Sequence, residues 1–291
     1  LHNIDYIRPK SIDEAIGLLA ENGDASRVLA GGTDVLIQLR EHVFDQVNVV
    51  IDIKAIPELN QIDYDPQSGL TLGAAVPCYQ IYNNSTITSA YPGLVDAASL
   101  IGGTQIQGRA SLGGNLCNAA PSGDSIPAMI ALGGIANIAG PNGKRSVPVE
   151  EFCTAPRQTV LQQGEMLVSL HFPAPAPRSG AHYLRFIPRN EMDIAVAGVG
   201  ASVVLNNGTI ESARISLASV APTPLYVKEA EDALVGKPPT EDSVRAAAEL
   251  AKEAASPITD MRGTADFRKH LCEVLTRRAL LKAIERAKEN D

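Results

Sequence analysis

The chain has 291 residues, 45% of them hydrophobic and 20% charged, with a formal net charge of −8. That length divides more naturally into two or three packed domains than into one core, and the composition carries no disorder-like bias. The acidic balance argues against a nucleic-acid partner, which requires a basic face to neutralise phosphates.

Ser11 opens the first helix as its cap, and Glu14 is expected to reach back to the Ser11 amide. Ile12, Ala15, Ile16 and Leu19 share one face, and Gly23 follows the end. Residues 27–30 read as a short strand running into Gly31-Gly32-Thr33-Asp34, residues 34–39 as a helix, and residues 47–53 as a buried β-branched strand. Residues 1–57 thus have a β-α-β-α-β order, a small α/β unit. Residues 69–76 read as a strand, and residues 91–102 as a helix with Leu94, Ala97, Ala98 and Ile101 on one side.

Residues 102–115 are too glycine-rich for a regular element, and the irregular stretch continues to Asp124 before a helix over residues 125–132. Long irregular segments inside compact domains are uncommon unless they bind something. Residues 135–139 and 145–149 form a hairpin about Asn142-Gly143, and residues 165–172 a further strand. Pro173-Ala174-Pro175-Ala176-Pro177 is the best linker in the chain, extended and unable to complete a sheet ladder, so a domain boundary is expected there. A second hairpin follows (residues 195–205 and 209–220), then helices over 240–254 and 264–287. The last helix carries Phe267, Leu271, Val274, Leu281 and Ile284 on an expected buried stripe, while Arg277, Arg278, Lys282 and Arg286 read as a solvated face.

The longest apolar stretch, residues 126–139, is too short to span a bilayer and is broken by Pro127. Residues 1–10 lack the basic start and apolar run of a secretory signal. A cytoplasmic protein is expected. The four cysteines, Cys78, Cys117, Cys153 and Cys272, form no C-x-x-C pair, and the histidines are equally dispersed, so no metal ligand set is assigned. Hard redox chemistry would therefore come from a bound organic cofactor.

Two glycine loops carry the chemistry. Backbone N–H groups converge on a diphosphate only where no β-carbon intervenes, and glycine supplies both the close approach and the positive φ of an anion-binding nest. One Gly-Gly pair is as readily a tight turn. Two such loops, with Thr33, Asp34, Ser111 and Asn115 attached, point to a phosphate-bearing cofactor. Gly140 to Arg145 lacks the spacing of a P-loop and reads as a hairpin turn. Gly198-Val199-Gly200 lacks the third glycine of a Rossmann fingerprint, and no nucleophile elbow is present.

Ala30-Gly31-Gly32-Thr33-Asp34 and Ser111-Leu112-Gly113-Gly114-Asn115 resemble the two FAD-diphosphate loops of the medium subunits of carbon monoxide dehydrogenase and its relatives, among them nicotinate dehydrogenase and the FAD domain of xanthine dehydrogenase. The resemblance runs end to end, through Ile4-Asp5-Tyr6-Ile7-Arg8-Pro9, Tyr183-Leu184-Arg185-Phe186-Ile187-Pro188-Arg189 with Asp193-Ile194-Ala195, and Phe267-Arg268-Lys269-His270-Leu271 with Arg277-Arg278-Ala279-Leu280.

The resemblance implies an α+β chain with a PCMH-type FAD-binding fold of two α/β subdomains (residues 1–57 and 58–176). A C-terminal α+β domain with an antiparallel sheet and helices would follow (residues 177–291). Leu29, Ala30, Gly31, Gly32, Thr33, Asp34, Val35 and Leu36 would wrap the diphosphate and adenosine of FAD, and Ser111, Leu112, Gly113, Gly114 and Asn115 would complete the cradle. Asp124 would lie near the ribityl chain; Ile101, Gly102 and Leu167 near the flavin ring; and Arg185 beside the flavin. Alternatively, Asp124 caps the following helix, a role it could fill at the same time, and Arg185 is a solvated strand residue.

No side chain is assigned as catalytic acid, base or nucleophile. The implied partners are a molybdopterin-binding large subunit and a 2Fe–2S small subunit, usually as a dimer of three-subunit units, with electrons passing from the clusters through FAD to an external acceptor. The chain departs from the family in having Gln107-Gly108 where Arg-Asn is usual, and Ser111 where Thr is usual. It also has no cysteine spacing that suggests an inserted 4Fe–4S loop. A self-contained flavin oxidoreductase of the wider PCMH-type fold and a nonenzymatic nucleotide-sensing module are the rival readings.

Overall fold

The computed structural model describes residues 3–189 and 192–290; the outermost residues of the expected first and last domains lie outside this range. Strand β1 (Asp5–Ile7), helix α1 (Ile12–Asn22), strand β2 (Ser26–Leu29), helix α2 (Val35–Arg40) and strand β3 (Val49–Asp52) form the expected alternating unit. Its sheet is parallel, in the order β1-β3-β2. Val49, Val50, Ile51 and Asp52 are all buried, as a central parallel strand covered on both faces requires. Ser11 caps α1, its Oγ accepting from the Glu14 amide at 3.2 Å. The Glu14 carboxylate reaches one residue further than expected and accepts from the Lys10 amide at 2.8 Å.

The second layer begins with strands β4 (Ile62–Asp65) and β5 (Gly69–Gly73), followed by six helices: α3 (Cys78–Tyr82), α4 (Ser85–Ala90), α5 (Pro92–Ala98), α6 (Thr104–Gln107), α7 (Leu112–Asn118) and α8 (Ser125–Ala131). Strands β6 (Ile135–Gly140) and β7 (Gly143–Pro148), helix α9 (Val149–Phe152), the short pair β8 (Cys153–Ala155) and β9 (Gln158–Thr159), and strand β10 (Met166–Phe172) complete it. The main sheet is antiparallel in the order β4-β5-β10-β6-β7. The glycine-rich stretch expected to be irregular therefore holds α6 and α7. Helix α7 tolerates Gly113 and Gly114 because Ser111 caps it, its Oγ accepting from the Gly114 amide at 3.0 Å.

Residues 173–176 run without regular structure into the third layer: β11 (Ser179–Phe186), β12 (Ala197–Asn206), β13 (Thr209–Ala218), β14 (Leu225–Tyr226), α10 (Lys228–Asp232), α11 (Glu241–Ala254) and α12 (Ala265–Glu289). The strands form an antiparallel sheet in chain order, with α11 and α12 packed on it. The buried stripe of α12 differs from the expected one. Phe267 is 39% and Leu281 36% exposed, and the covered face is Leu271, Cys272, Leu275, Ala279, Leu280, Ala283, Ile284 and Ala287. The alanines allow α12 to lie almost on the backbone of β11: a β-carbon at Gly180 would fall 2.2 Å from the Ala283 carbonyl oxygen.

Arg286 is not solvated. It grips Asp96 at the end of α5 with both terminal nitrogens (2.6 and 3.0 Å) and donates to the Ala181 carbonyl at 2.6 Å. Helix α8 has every residue buried, since it is enclosed between the second and third layers. A β-carbon at Gly200 on β12 would lie 2.3 Å from the Pro127 carbonyl oxygen of α8. That enclosure explains why residues 126–139 are the most apolar stretch of the chain.

Candidate functional site

The first glycine loop leaves the carboxyl end of β2, the edge at which parallel sheets commonly bind ligands. The second is the cap and first turn of α7. Gly31 joins them: a β-carbon there would lie 2.1 Å from the Arg109 carbonyl oxygen, so only glycine permits the contact. Arg109 Nε donates to the Gly31 carbonyl at 2.9 Å, and beyond the loops Gln38 Nε2 donates to Asn118 Oδ1 at 2.8 Å. Gly113 is equally committed to packing, since a β-carbon would fall 2.4 Å from the Ala74 carbonyl oxygen.

Gly32 and Gly114 have a different character. Gly32 sits at φ +79°, and an added β-carbon at Gly114 would meet only the Ser111 hydroxyl within 4 Å. Among the described residues, the amides of Gly31, Gly32, Thr33, Asp34, Leu112 and Gly113 donate to no protein group. Two clamped loops thus present unpaired N–H donors, the arrangement that an anionic diphosphate needs.

Two adjoining clefts open beside the first loop. One, of about 360 Å³, is mostly apolar and lined by Ile4, Leu29, Leu36, Leu39 and Val50, with Tyr6, Asp52, Lys54 and Arg109 at its polar side. The other, of about 150 Å³, is lined by Gly31, Asn60, Ala75, Pro77, Gln80 and Gly108 together with the same Lys54 and Arg109. Lys54 Nζ donates to the Ala30 carbonyl at 3.0 Å and to Asp52 Oδ1 at 2.6 Å, and the Tyr6 hydroxyl donates to Asp52 Oδ2. Burial alone would raise the Asp52 carboxyl; the hydrogen bonds from Lys54 and Tyr6 outweigh it and hold the group below the usual carboxylate range. Neither Lys54 nor Arg109 was among the residues expected from sequence: Lys54 stands in no glycine motif, and Arg109, though inside the glycine-rich 102–115 stretch, precedes the Ser111–Asn115 loop.

A second cluster adjoins the end of α7. Asn115 Oδ1 accepts from the Ser125 amide at 3.3 Å and from its hydroxyl at 2.7 Å, which ties the second loop to the start of α8. Asp124 makes no cap bond. Its carboxylate instead accepts from the Tyr183 hydroxyl at 2.7 Å and from Arg185 Nη1, both on β11. The helix-cap alternative for Asp124 and the solvated alternative for Arg185 are both set aside, since Arg185's side chain is only 6% exposed. Burial pulls the Asp124 carboxyl upward against the opposing Arg185 charge, and it drives the enclosed Tyr183 phenol well above its ordinary value.

The remaining expected positions lie as follows. Val35 and Leu36 form the first turn of α2. Ile101 and Gly102 follow α5, Gly102 at φ +58°, and the nearby turn is held by Gln107, whose Nε2 donates to the Ser99 carbonyl at 2.8 Å. The departure from the family's Arg-Asn pair thus places a buried amide that fixes this segment. Leu167 lies on β10, 3% exposed, in the same core as Leu112 and Leu116. Among the described residues no group of three His, Cys, Asp or Glu side chains could hold a metal ion, and no helix is long and apolar enough to cross a membrane.

This anion cradle between an α/β unit and a second layer defines a protein that holds a phosphate-bearing cofactor. Comparison with known proteins gives the family. Residues 2–175 match the FAD binding domain in molybdopterin dehydrogenase, and residues 182–283 match the CO dehydrogenase flavoprotein C-terminal domain. The chain is 34% identical over 284 residues to the xanthine dehydrogenase FAD-binding subunit of Escherichia coli O157:H7, covering 97% of this chain and 96% of the relative. It is 33% identical over 276 residues to the carbon monoxide dehydrogenase medium chain of Hydrogenophaga pseudoflava, covering 95% of each. The solved carbon monoxide dehydrogenase structure from that organism superposes with a TM-score of 0.93 at 33% identity over 98% of both chains. Quinoline 2-oxidoreductase from Pseudomonas putida 86 superposes with a TM-score of 0.88 at 30% identity, again over 98% of both. The chain belongs to the family of FAD-binding medium subunits of molybdenum hydroxylases, and is a flavoprotein subunit of a molybdenum-dependent oxidoreductase.

Proposed function

We propose that this subunit relays electrons, taking them from the 2Fe–2S clusters of a partner small subunit and passing them to an external acceptor, while a molybdopterin-binding large subunit oxidises the organic substrate. The observation that carries the reading is the pair of clamped loops with unpaired amide donors, on a chain with no converging metal ligands among its described residues. FAD, when bound, accepts and donates electrons singly or in pairs. The protein's own contribution is position and electrostatics.

In this reading the 29–36 and 111–115 segments hold the diphosphate and adenosine, with the apolar 360 Å³ cleft beside the first loop available to the base. Asp124 and Arg185 stand near the ribityl chain and ring, and Ile101, Gly102 and Leu167 border the ring. The three-part division at residues 57 and 176 is supported by one main sheet in each part, of three, five and four strands, with the small β8-β9 pair also in the second. A cytoplasmic location accords with four free cysteines.

The test is copurification of the untagged complex from the native host, with a visible spectrum and metal analysis. FAD together with molybdenum, iron and two further polypeptides supports the relay. FAD alone, with turnover of a small substrate, would mean a self-contained oxidoreductase and sink the relay.

A further inference from the structure

Two cations from outside the first glycine loop hold two of its successive carbonyls. Lys54 Nζ donates to Ala30 and Arg109 Nε to Gly31, at 3.0 and 2.9 Å, and the next carbonyl, of Gly32, accepts from the Leu36 amide at 3.2 Å. Three successive oxygens are therefore turned into the protein, and the amides beside them are the groups left to face a ligand. This orientation is not guaranteed by the loop's sequence. A peptide plane flanked by glycine rotates at little cost, and a rotated plane would aim a carbonyl oxygen, rather than an N–H, at an anion.

Each cation is itself fixed. Lys54 is anchored by buried Asp52 at 2.6 Å, and Arg109 by the close seat of Gly31 on its own backbone. Arg109 donates only through Nε among the described residues, so its two terminal nitrogens keep their donors, and both side chains line both clefts.

We propose that Lys54 and Arg109 are positioning residues for the diphosphate of the cofactor. They lock the carbonyls of Ala30 and Gly31 inward so that the loop presents donors, and Arg109 adds positive charge where the two clefts meet. The proposal rests on the two-loop reading of FAD binding given above.

The full chain, freed of flavin, is titrated with FAD, with ADP and with adenosine. Arg109→Met should raise the Kd for FAD and ADP about tenfold or more, and Lys54→Met should do so by a smaller factor, because charge-assisted hydrogen bonds to the loop are lost. Adenosine, which has no phosphate, should bind each variant as it binds the wild type. The ³¹P resonances of FAD bound at saturation should shift in Arg109→Met, and Arg109→Lys should restore part of the affinity. Wild-type affinity for FAD in both methionine variants, or an equal loss for adenosine and ADP, overturns the proposal. Gly32→Val and Gly114→Val serve as controls. If both keep full flavin, the two-loop reading itself has failed; if they lose flavin while the methionine variants bind normally, only the positioning role is wrong.

Discussion

The Asn115 carboxamide oxygen accepts from both the amide and the hydroxyl of Ser125, ten residues along the chain, and so does the capping at the start of α8 that Asp124 was free to do. Released from that duty, Asp124 turns to β11 and is held by Tyr183 and Arg185. One residue of the second glycine loop therefore frees Asp124 to make one of the junctions between the second layer and the third.

That division of labour sets the consequences of mutation. Asp124→Ala leaves the Arg185 guanidinium buried without its partner, and should lower the stability of the flavin-free chain by about 3 kcal/mol. The double variant Asp124→Leu/Arg185→Met removes both charges and should lose less than the single change. Asn115→Ala should cost about 1 kcal/mol, the usual scale for a lost cap. Urea denaturation of the three variants checks the order; a double variant less stable than Asp124→Ala would refute a penalty arising from the unpaired charge.

The glycines of the two loops should separate by substitution. Gly31→Ala drives a β-carbon into the Arg109 carbonyl and should cost the flavin-free chain about 2 kcal/mol, in the range for overpacking. At Gly114 an added β-carbon meets only the Ser111 hydroxyl, and Gly114→Val should leave the flavin-free melting temperature close to wild type while lowering the FAD content of the purified subunit. Calorimetry on flavin-free protein, paired with the visible absorbance of bound flavin, reads the two effects independently. Equal losses for both variants in both assays would contradict the assignment.

Asp52 sets an acid limit. Its folded pKa is held below the unfolded value, so the stability it contributes is present above the unfolded carboxylate value, about 3.9, and is lost as pH falls through the lower folded value. Thermal unfolding followed from neutral pH into this acid range should show Asp52→Asn less stable at neutral pH and less steeply acid-sensitive than the wild type. An unchanged acid slope in the variant would show that Asp52 does not titrate as this geometry requires.

The parts of the fold that were legible in the sequence are those with a local signature. The cap at Ser11, the parallel unit around the first loop, the two Asn-Gly-type hairpins and the long last helix were all expected, because periodicity and turn chemistry report them directly. Helices α6 and α7 were hidden by their glycines, which the sequence marks as loop-forming; the structure requires Gly113 because the backbone of Ala74 packs directly against it. The stripe on α12 was misplaced for a related reason. Leu271 and Ile284 are buried as expected, but the face also recruits Ala279, Ala283 and Ala287, which carry little hydrophobic signal, while the conspicuous Phe267 and Leu281 are substantially exposed. Lys54, Arg109 and Arg286 were invisible as a class, since a charged residue discloses its partner only when distant segments meet.

Arg286 offers the sharpest check on that last point. Its two bonds to Asp96, joined by His182 Nδ1 at 2.5 Å from the same carboxylate, connect α12 to the end of α5 across the second and third layers. Asp96 is drawn below the ordinary carboxylate range: its burial acts to raise it, and the hydrogen bonds from His182 and Arg286 prevail. The pair is about a fifth exposed, which weakens it relative to a dry ion pair, so Arg286→Ala should cost about 2 kcal/mol rather than the larger loss of a fully enclosed charge. Arg286→Lys should recover only part, because an ammonium cannot reproduce the two-pronged contact and still reach the Ala181 carbonyl. Hydrogen exchange localises the effect: amides in the last turns of α12 and along β11 should lose protection, while those of β1 to β3 keep theirs. Uniform loss across all three layers would mean that Arg286 supports the whole molecule rather than this one junction.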